Sequence, residues 1–282
     1  MARLRLSGGE LDGLEVYYTV RGRGPVTVLV HGLGGFAELW RYTIDALAPH
    51  GTVIAVDLPG FGQSAKPRRS YGLGFFADVL RRLMSALDVE RVRLVGHSLG
   101  GGVAVAYALS SPGQVERLAL ISPVVPGFPL RPSLVYRLMA LPVMGELIGW
   151  LITPRVCATA LGRCFFAGDP AEIEFLASHQ YATRTTPEGR AAYLSTLRGV
   201  RADFTVGASA TRAALARWPR PALVIHGRQD PVVPIAHAEA VLQGFGRAEG
   251  RWLDRCGHFP QIEHAAAVND WLGEFLFAEA GR

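Results

Sequence analysis

The segment Gly96-His97-Ser98-Leu99-Gly100 sets a serine between two glycines, directly after the apolar run Val92–Val95 and directly before the small, apolar, helical stretch Leu99–Leu109. A hydroxyl on so sharp a strand-to-helix turn suits nucleophilic attack. Backbone strain holds the serine out, Gly96 and Gly100 leave space where side chains would collide, and a helix start favours developing negative charge. The same serine could instead simply cap a helix, so its partners decide. A hydroxyl needs a base to take its proton, and histidine has the matching range. Histidines stand at 31, 50, 97, 179, 226, 237, 258 and 264. His258 follows the short apolar run Arg251–Leu253 within a few residues and comes late in the chain, where the base of a strand–serine–helix elbow belongs. His264 is the rival but opens the final helix. His31 and His226 end strands and read as loop-shaping hydrogen-bonders, and His97 as a neighbour inside the elbow.

The imidazole in turn needs an acid to fix its tautomer and stabilise its cation. Asp230 lies shortly after the apolar run Ala222–Ile225; its plainer role is an Asp-Pro turn. The earlier loop Ser122-Pro123-Val124 offers no carboxylate, which strengthens Asp230. Asp57, in a Pro-Gly-rich turn before Ser98, reads as structural. Two backbone N–H groups must receive the oxyanion. One is expected from Leu99, the other from Leu33 in the loop His31–Gly35, where Gly32, Gly34 and Gly35 let the backbone approach a substrate.

The elements that position these groups alternate. Strand-like runs at 14–20, Val26–Val30, Thr52–Val56, Val92–Val95 and Leu118–Ile121 are separated by helical patterns at Trp40–Leu47, Phe75–Leu87 and Leu99–Leu109. Continuous apolar strands between helices imply an α/β fold, with a mostly parallel sheet covered by helices on both faces. From Pro123 the rhythm changes to helical segments without strands, and it returns at Ala222–Ile225, 236–242, Arg251–Leu253 and Ala265–Phe277. The expected division is a core of residues 1–122 and 212–282, with a helical cap at 123–211 inserted after the strand ending near Ile121.

Five blocks carry a resemblance: His31-Gly32-Leu33-Gly34-Gly35, Asp57-Leu58-Pro59-Gly60-Phe61-Gly62-Gln63-Ser64, Gly96-His97-Ser98-Leu99-Gly100-Gly101, Gly227-Arg228-Gln229-Asp230-Pro231-Val232-Val233-Pro234 and Gly257-His258-Phe259-Pro260-Gln261-Ile262-Glu263. Together they resemble the α/β-hydrolase superfamily. The general look is similar to carboxylesterases, monoacylglycerol lipases and meta-cleavage-product hydrolases. The resemblance implies an α/β-hydrolase fold and a serine hydrolase. Related epoxide hydrolases and haloalkane dehalogenases carry Asp at the nucleophile position, and Ser98 disfavours both. Carbon–carbon hydrolases usually show a Gly-Pro-Gly-type oxyanion loop, where this chain has Leu33-Gly34-Gly35, so ester cleavage ranks first. Thioester cleavage and carbon–carbon cleavage of diketones stand as alternatives. Some relatives act as ligand receptors or scaffolds with little turnover; the complete Ser98, Asp230 and His258 set argues against a catalytically dead scaffold, and a slow-turnover ligand receptor of the same fold stands as the alternative from another class.

Composition narrows the classes. Of 282 residues, 49% are hydrophobic and 19% charged, and 33 Gly and 18 Pro make a turn-rich globular chain. The net charge of +5 would fit nucleic acid, but the arginines are scattered without interleaved aromatics, so no nucleic-acid partner is expected. Weak contact with an anionic membrane surface stays compatible with the charge. The polar stretch 1–10 lacks the apolar run of a secretory signal, and Leu138–Thr153 is too short and broken to span a bilayer. Scattered Cys157, Cys164 and Cys256 fit a reducing cytoplasm rather than a disulfide framework. No metal-ligand spacing or dinucleotide fingerprint is seen, so neither metal nor cofactor is expected. The oligomeric state stays open.

The cap bears on substrate. Residues 134–152 are apolar on nearly every side, which suggests one face buried on the core and another lining an apolar cavity. The expected ligand is a small to medium apolar or aromatic ester. Candidate lining residues are Gly32, Gly34, Phe36, Trp40, His97, Leu138, Met139 and Val232.

Overall fold

The computed structural model describes residues 1–278. Eight strands form one sheet: β1 Ala2–Arg5, β2 Glu15–Arg21, β3 Val26–Val30, β4 Thr52–Val56, β5 Val92–His97, β6 Val115–Ile121, β7 Ala222–Gly227 and β8 Ala248–Leu253. Their order is β1-β2-β4-β3-β5-β6-β7-β8. The pairs β1–β2 and β2–β4 are antiparallel, and the rest of the sheet, from β4 to β8, is parallel. The sequence reading missed β1. Its four residues alternate two half-buried side chains with exposed Arg3 and Arg5, a polar edge strand without the continuous apolar run of a central one.

The central strands are buried on both faces because helices cover both. On one side α2 (Leu73–Ala86), α3 (Leu99–Ser110) and α10 (Ile235–Gly244) bury Phe76, Leu80, Val103, Tyr107 and Val241 against Val28, Val30, Leu94 and Leu120. On the other, α1 (Arg41–Leu47) and α12 (Ala265–Phe277) bury Ile44, Leu47, Val268 and Leu272 against Leu29, Val95, Ile121 and Ile225. Alternate residues of one strand thus enter opposite cores, as the two-residue period of a strand requires. This is the α/β-hydrolase fold anticipated from the motifs.

Between β6 and β7 run α4 (Leu134–Met139), α5 (Met144–Trp150), α6 (Pro154–Gly162), α7 (Pro170–Thr185), α8 (Pro187–Asp203) and α9 (Ala208–Leu215); α11 (Pro260–Glu263) precedes the last helix. Helices α6, α7 and α8 each start on Pro behind a capping Thr153, Asp169 or Thr186, whose side chain accepts from the first turn. The expected boundary at 211/212 falls inside α9, because the helical pattern continues through Ala214 and Leu215 and ends before Pro219. The apolar segment 134–152 is two helices, since Pro142 breaks it and Val143 takes a positive φ of 65°. Among the described residues no helix is long and apolar enough to cross a membrane.

Candidate active site

Ser98 stands at the turn from β5 into α3 with φ 53° and ψ −119°, a backbone region costly for any residue with a side chain. The glycines make the turn buildable. A Cβ on Gly96 would run into the backbone of Gly100, and one on Gly100 into the carbonyls of Val30 and His31. Three backbone bonds hold the strained residue: Ser98 N–H donates to Ile121 O, while its carbonyl accepts from Gly101 and Val124, each at 2.9 Å. Ser98 occupies the N-cap position of α3, yet its side chain makes no capping hydrogen bond. The helix-cap alternative therefore fails, and Oγ is turned elsewhere.

It is turned toward His258. Oγ lies 3.0 Å from Nε2 of that imidazole, and Nδ1 lies 2.7 Å from Oδ2 of Asp230. A carboxylate only accepts, so Nδ1–H donates to Asp230 and leaves the Nε2 lone pair to receive the Ser98 O–H. The other oxygen of Asp230 accepts the N–H groups of Val232 and Val233 at 2.8 and 2.9 Å. Burial pushes the Asp230 carboxyl up, but His258, by charge and hydrogen bond, together with His226 and the Val233 N–H, outweighs burial and holds it below its ordinary value. It stays ionised beside the imidazole.

The loop carrying His258 is pinned from several sides. His97 Nε2–H donates to His258 O at 2.8 Å; burial, then the neighbouring His258, lowers the His97 pKa to about 3, so this ring stays neutral. His258 N–H donates to Cys164 O, two residues past the end of α6, at 2.7 Å. Glu263 accepts from Gly257 and Phe259 through Oε1 at 3.0 and 3.2 Å, and from Phe166 through Oε2 at 2.7 Å. Glu263 thus fastens the histidine loop to the cap. In the sequence the only signal for this role of Glu263 is a carboxylate five residues after His258.

His31 and His226 shape loops as expected. His31 Nδ1–H donates to Gly32 O and Nε2 accepts from Leu58 N–H, and His226 Nε2–H donates to Val233 O. His264 bonds Arg255 O at the surface. Asp57 accepts from Ala37 and Gln63 N–H, each at 2.6 Å, tying two loops together away from Ser98.

Ser98 and His258 open into a cavity of about 550 Å³ between the sheet edge and the cap. Leu33, Leu99, Gly32, His97, Leu138 and Val232 line it. Leu99 is the first residue of α3, so its N–H has no acceptor within the helix. A Cβ on Gly32 would stand 3.0 Å from that of Ser98, which measures how closely the loop passes the elbow. Four candidates lie outside the cavity wall. Phe36 is buried and stacks on His179, ring centroids 4.6 Å apart. Trp40 is fully buried behind His97 at 6.4 Å. Met139 packs into the core. Gly34, with φ +73°, faces Gln180 and Tyr193. Apolar residues near an oxyanion loop or on a cap helix serve core and cavity alike, and their type does not distinguish the two.

Besides Ser98, His97 and His258, the cavity's polar groups come from the helical segment between β6 and β7, and sequence spacing did not point to them. Tyr136, Gln180, Arg184 and Tyr193 all line it, and the Arg184 guanidinium lies 4.0 Å over the Tyr193 ring. Neighbouring Tyr193, then burial, raises the Tyr136 pKa, and burial raises that of Tyr193, so both remain O–H donors. No carboxylate lines the cavity among the described residues, whereas Arg137, Arg184 and Arg201 do.

Comparison with known proteins shows the family. The chain belongs to the alpha/beta hydrolase family, whose model matches residues 27–271, and is a hydrolase. It is 34% identical to an uncharacterized protein of Mycobacterium tuberculosis over 94% of this chain and 79% of that one. It is 30% identical to the 2-hydroxymuconate semialdehyde hydrolase of Pseudomonas sp. strain CF600, over 92% of this chain and 89% of the relative. Among solved structures, the meta-cleavage product hydrolase of Pseudomonas fluorescens IP01 superposes with a TM-score of 0.81 at 27% identity, covering 98% of this chain and 97% of that one.

Proposed function

We propose that the protein is a serine hydrolase that cleaves carboxylic esters of small to medium apolar or aromatic type through an acyl-enzyme, with Ser98 as nucleophile, His258 as general base and Asp230 as the orienting acid. The observation that carries this reading is the chain of two hydrogen bonds from Ser98 Oγ through His258 to Asp230, ending in a cavity whose wall is mainly apolar. As Ser98 attacks the carbonyl carbon, its proton passes to His258 Nε2. The carbonyl oxygen becomes an oxyanion that the Leu33 and Leu99 N–H groups receive. His258 then gives the proton to the leaving alcohol, and water repeats the sequence to release the acid. Asp230 faces the imidazolium at each step. Residues 123–211, together with the rest of α9, act as the cap that closes the site.

A second reading is carbon–carbon hydrolysis of a diketone by the same groups. The relatives of that activity favour it, and so do the three cavity arginines, which suit a carboxylate-bearing substrate. The proline-free loop Leu33-Gly34-Gly35 favours esters. Turnover of p-nitrophenyl acyl esters of graded length, set beside meta-cleavage diketones and acyl thioesters, separates the readings. Faster turnover of esters by kcat/KM supports the first, and ester turnover far below diketone turnover replaces it with the second. Labelling by an organophosphate without multiple turnovers of any of these substrates would make the protein a receptor.

A further inference from the structure

Helix α5 is built inside out. Its buried positions are Gly145 and Gly149. A Cβ on Gly145 would strike Met139 O, and one on Gly149 would come within 2.9 Å of the Arg190 side chain. The helix therefore lies close on its neighbours through its smallest residues. Ile148 packs on the core, but Leu147, Trp150 and the flanking Val143 and Leu151 point outward: Leu147 is 56% exposed, Trp150 74%, Val143 70% and Leu151 76%. The spacing 147, 150, 151 is one helical stripe, with Val143 exposed at the N-cap before it. The sequence reading expected such side chains to face the core and the cavity, and this stripe does neither. Leu134, on α4, which packs against α5, is 65% exposed and also lines the cavity, so exposed apolar surface on this helix pair reaches the cavity. Exposed apolar area gathered in this way is unusual for a surface that meets only water.

Along the chain, the charge flanking the stripe is mostly of one sign. Between residues 131 and 163 the ionised side chains are Arg131, Arg137, Arg155, Arg163 and Glu146, and Glu146 is paired with Arg198 at 2.8 Å. All four arginines are exposed. Another, Arg190, places its guanidinium 4.2 Å over the Trp150 ring. A tryptophan with leucines at its sides, rimmed by arginines, matches the layered chemistry of an anionic bilayer surface, where indole and aliphatic groups enter the headgroup boundary and guanidinium groups meet phosphates.

We infer that the α4–α5 face of the cap docks on the surface of an anionic lipid bilayer, with the cavity mouth toward the lipid. Docking would let an apolar substrate pass from the bilayer to Ser98 without crossing water. The inference goes beyond the proposed reaction and does not need it.

Sedimentation with phosphatidylcholine vesicles containing about a third phosphatidylglycerol tests it, using the whole chain. The expected result is co-sedimentation that weakens in high salt and on pure phosphatidylcholine. Replacing Leu147, Trp150 and Leu151 together by Glu should lower the bound fraction at least tenfold. Arg155→Glu with Arg163→Glu, neither of which lines the cavity, should weaken binding to anionic vesicles alone. The triple variant should keep its melting temperature and its turnover of a water-soluble ester. Ser98→Ala should bind vesicles as the parent does, so failure of docking and failure of the reaction are told apart. Absence of co-sedimentation overturns the inference, as does binding that the triple variant retains. A dimer in solution that the triple variant dissociates, without vesicle binding by the parent, also overturns it and makes the face a contact between copies.

Discussion

His97 Nε2–H donates to the carbonyl oxygen of His258 at 2.8 Å, joining the residue before the elbow serine to the backbone of the residue that faces it. The bond means that the serine and imidazole loops are not positioned independently. His97→Leu should lower kcat by tens of times with little change in KM, because the ester cavity persists while the imidazole loses its register. His97→Gln, which keeps an N–H donor at similar reach, should restore most of the rate. Equal rates in parent and His97→Leu would contradict a positioning role.

The triad substitutions separate chemistry from binding. Ser98→Ala should abolish turnover and leave the melting temperature within a few degrees of the parent. Asp230→Asn should cost on the order of 10⁴ in kcat, the effect of the same change in a serine-protease triad, because the imidazole then favours the wrong tautomer. Initial rates on a p-nitrophenyl ester give both values. Near-parental rates in Asp230→Asn would remove it from the mechanism.

Glu263 accepts three backbone N–H groups, two of them flanking His258. Glu263→Ala leaves these donors to solvent and should cost about 2 kcal/mol of stability, together with at least a tenfold loss of turnover. Glu263→Gln keeps one acceptor and should fall between. Urea unfolding and ester kinetics on both variants check this, and unchanged stability in Glu263→Ala would refute it.

Acid should destabilise the fold before it protonates ordinary carboxylates. Burial lowers His31 to about 4, His97 to about 3 and His226 to about 4. Unfolded, these rings take protons near 6.5. Between that value and the folded values the unfolded state holds more protons, so stability falls as pH falls, by about 1.4 kcal/mol per pH unit for each proton. Asp57 acts oppositely: burial raises it to about 6, and below that pH its folded form gains a proton that the unfolded form takes only near 3.9. Burial also lowers His237 and raises Asp203, and four histidines against two carboxyls leave a net loss. Melting temperature should drop steadily from pH 6.5 to about 4.5, and His97→Gln should flatten the slope. A constant melting temperature over this range would contradict the assignment.

Much of the core was legible because its signals are local. The elbow needs Gly96 and Gly100 whatever surrounds it, and apolar runs between helical patterns specify parallel strands. The acid could be sought after Ala222–Ile225 because the earlier loop has no carboxylate. The cap was legible as helical and no further. Tyr136, Gln180, Arg184 and Tyr193 meet only through the packing of α4, α7 and α8, which no short-range spacing encodes. Phe36 and Trp40 show the converse, since apolar residues beside the loop join the core. The outward stripe of α5 was hidden because its inward face is glycine, whose part as a packing surface shows only when the neighbouring helices are in place. Residues 279–282, at the end of the expected core segment, lie outside the described residues.

The central claim is that the Ser98 hydroxyl is activated by His258. Reaction with a fluorophosphonate followed by peptide mass spectrometry tests it most directly, with ester turnover measured on the same sample. One adduct is expected, on Ser98, with turnover lost in proportion to labelling, and no adduct in His258→Ala. Labelling elsewhere, or full turnover in a protein whose Ser98 is modified, would contradict it.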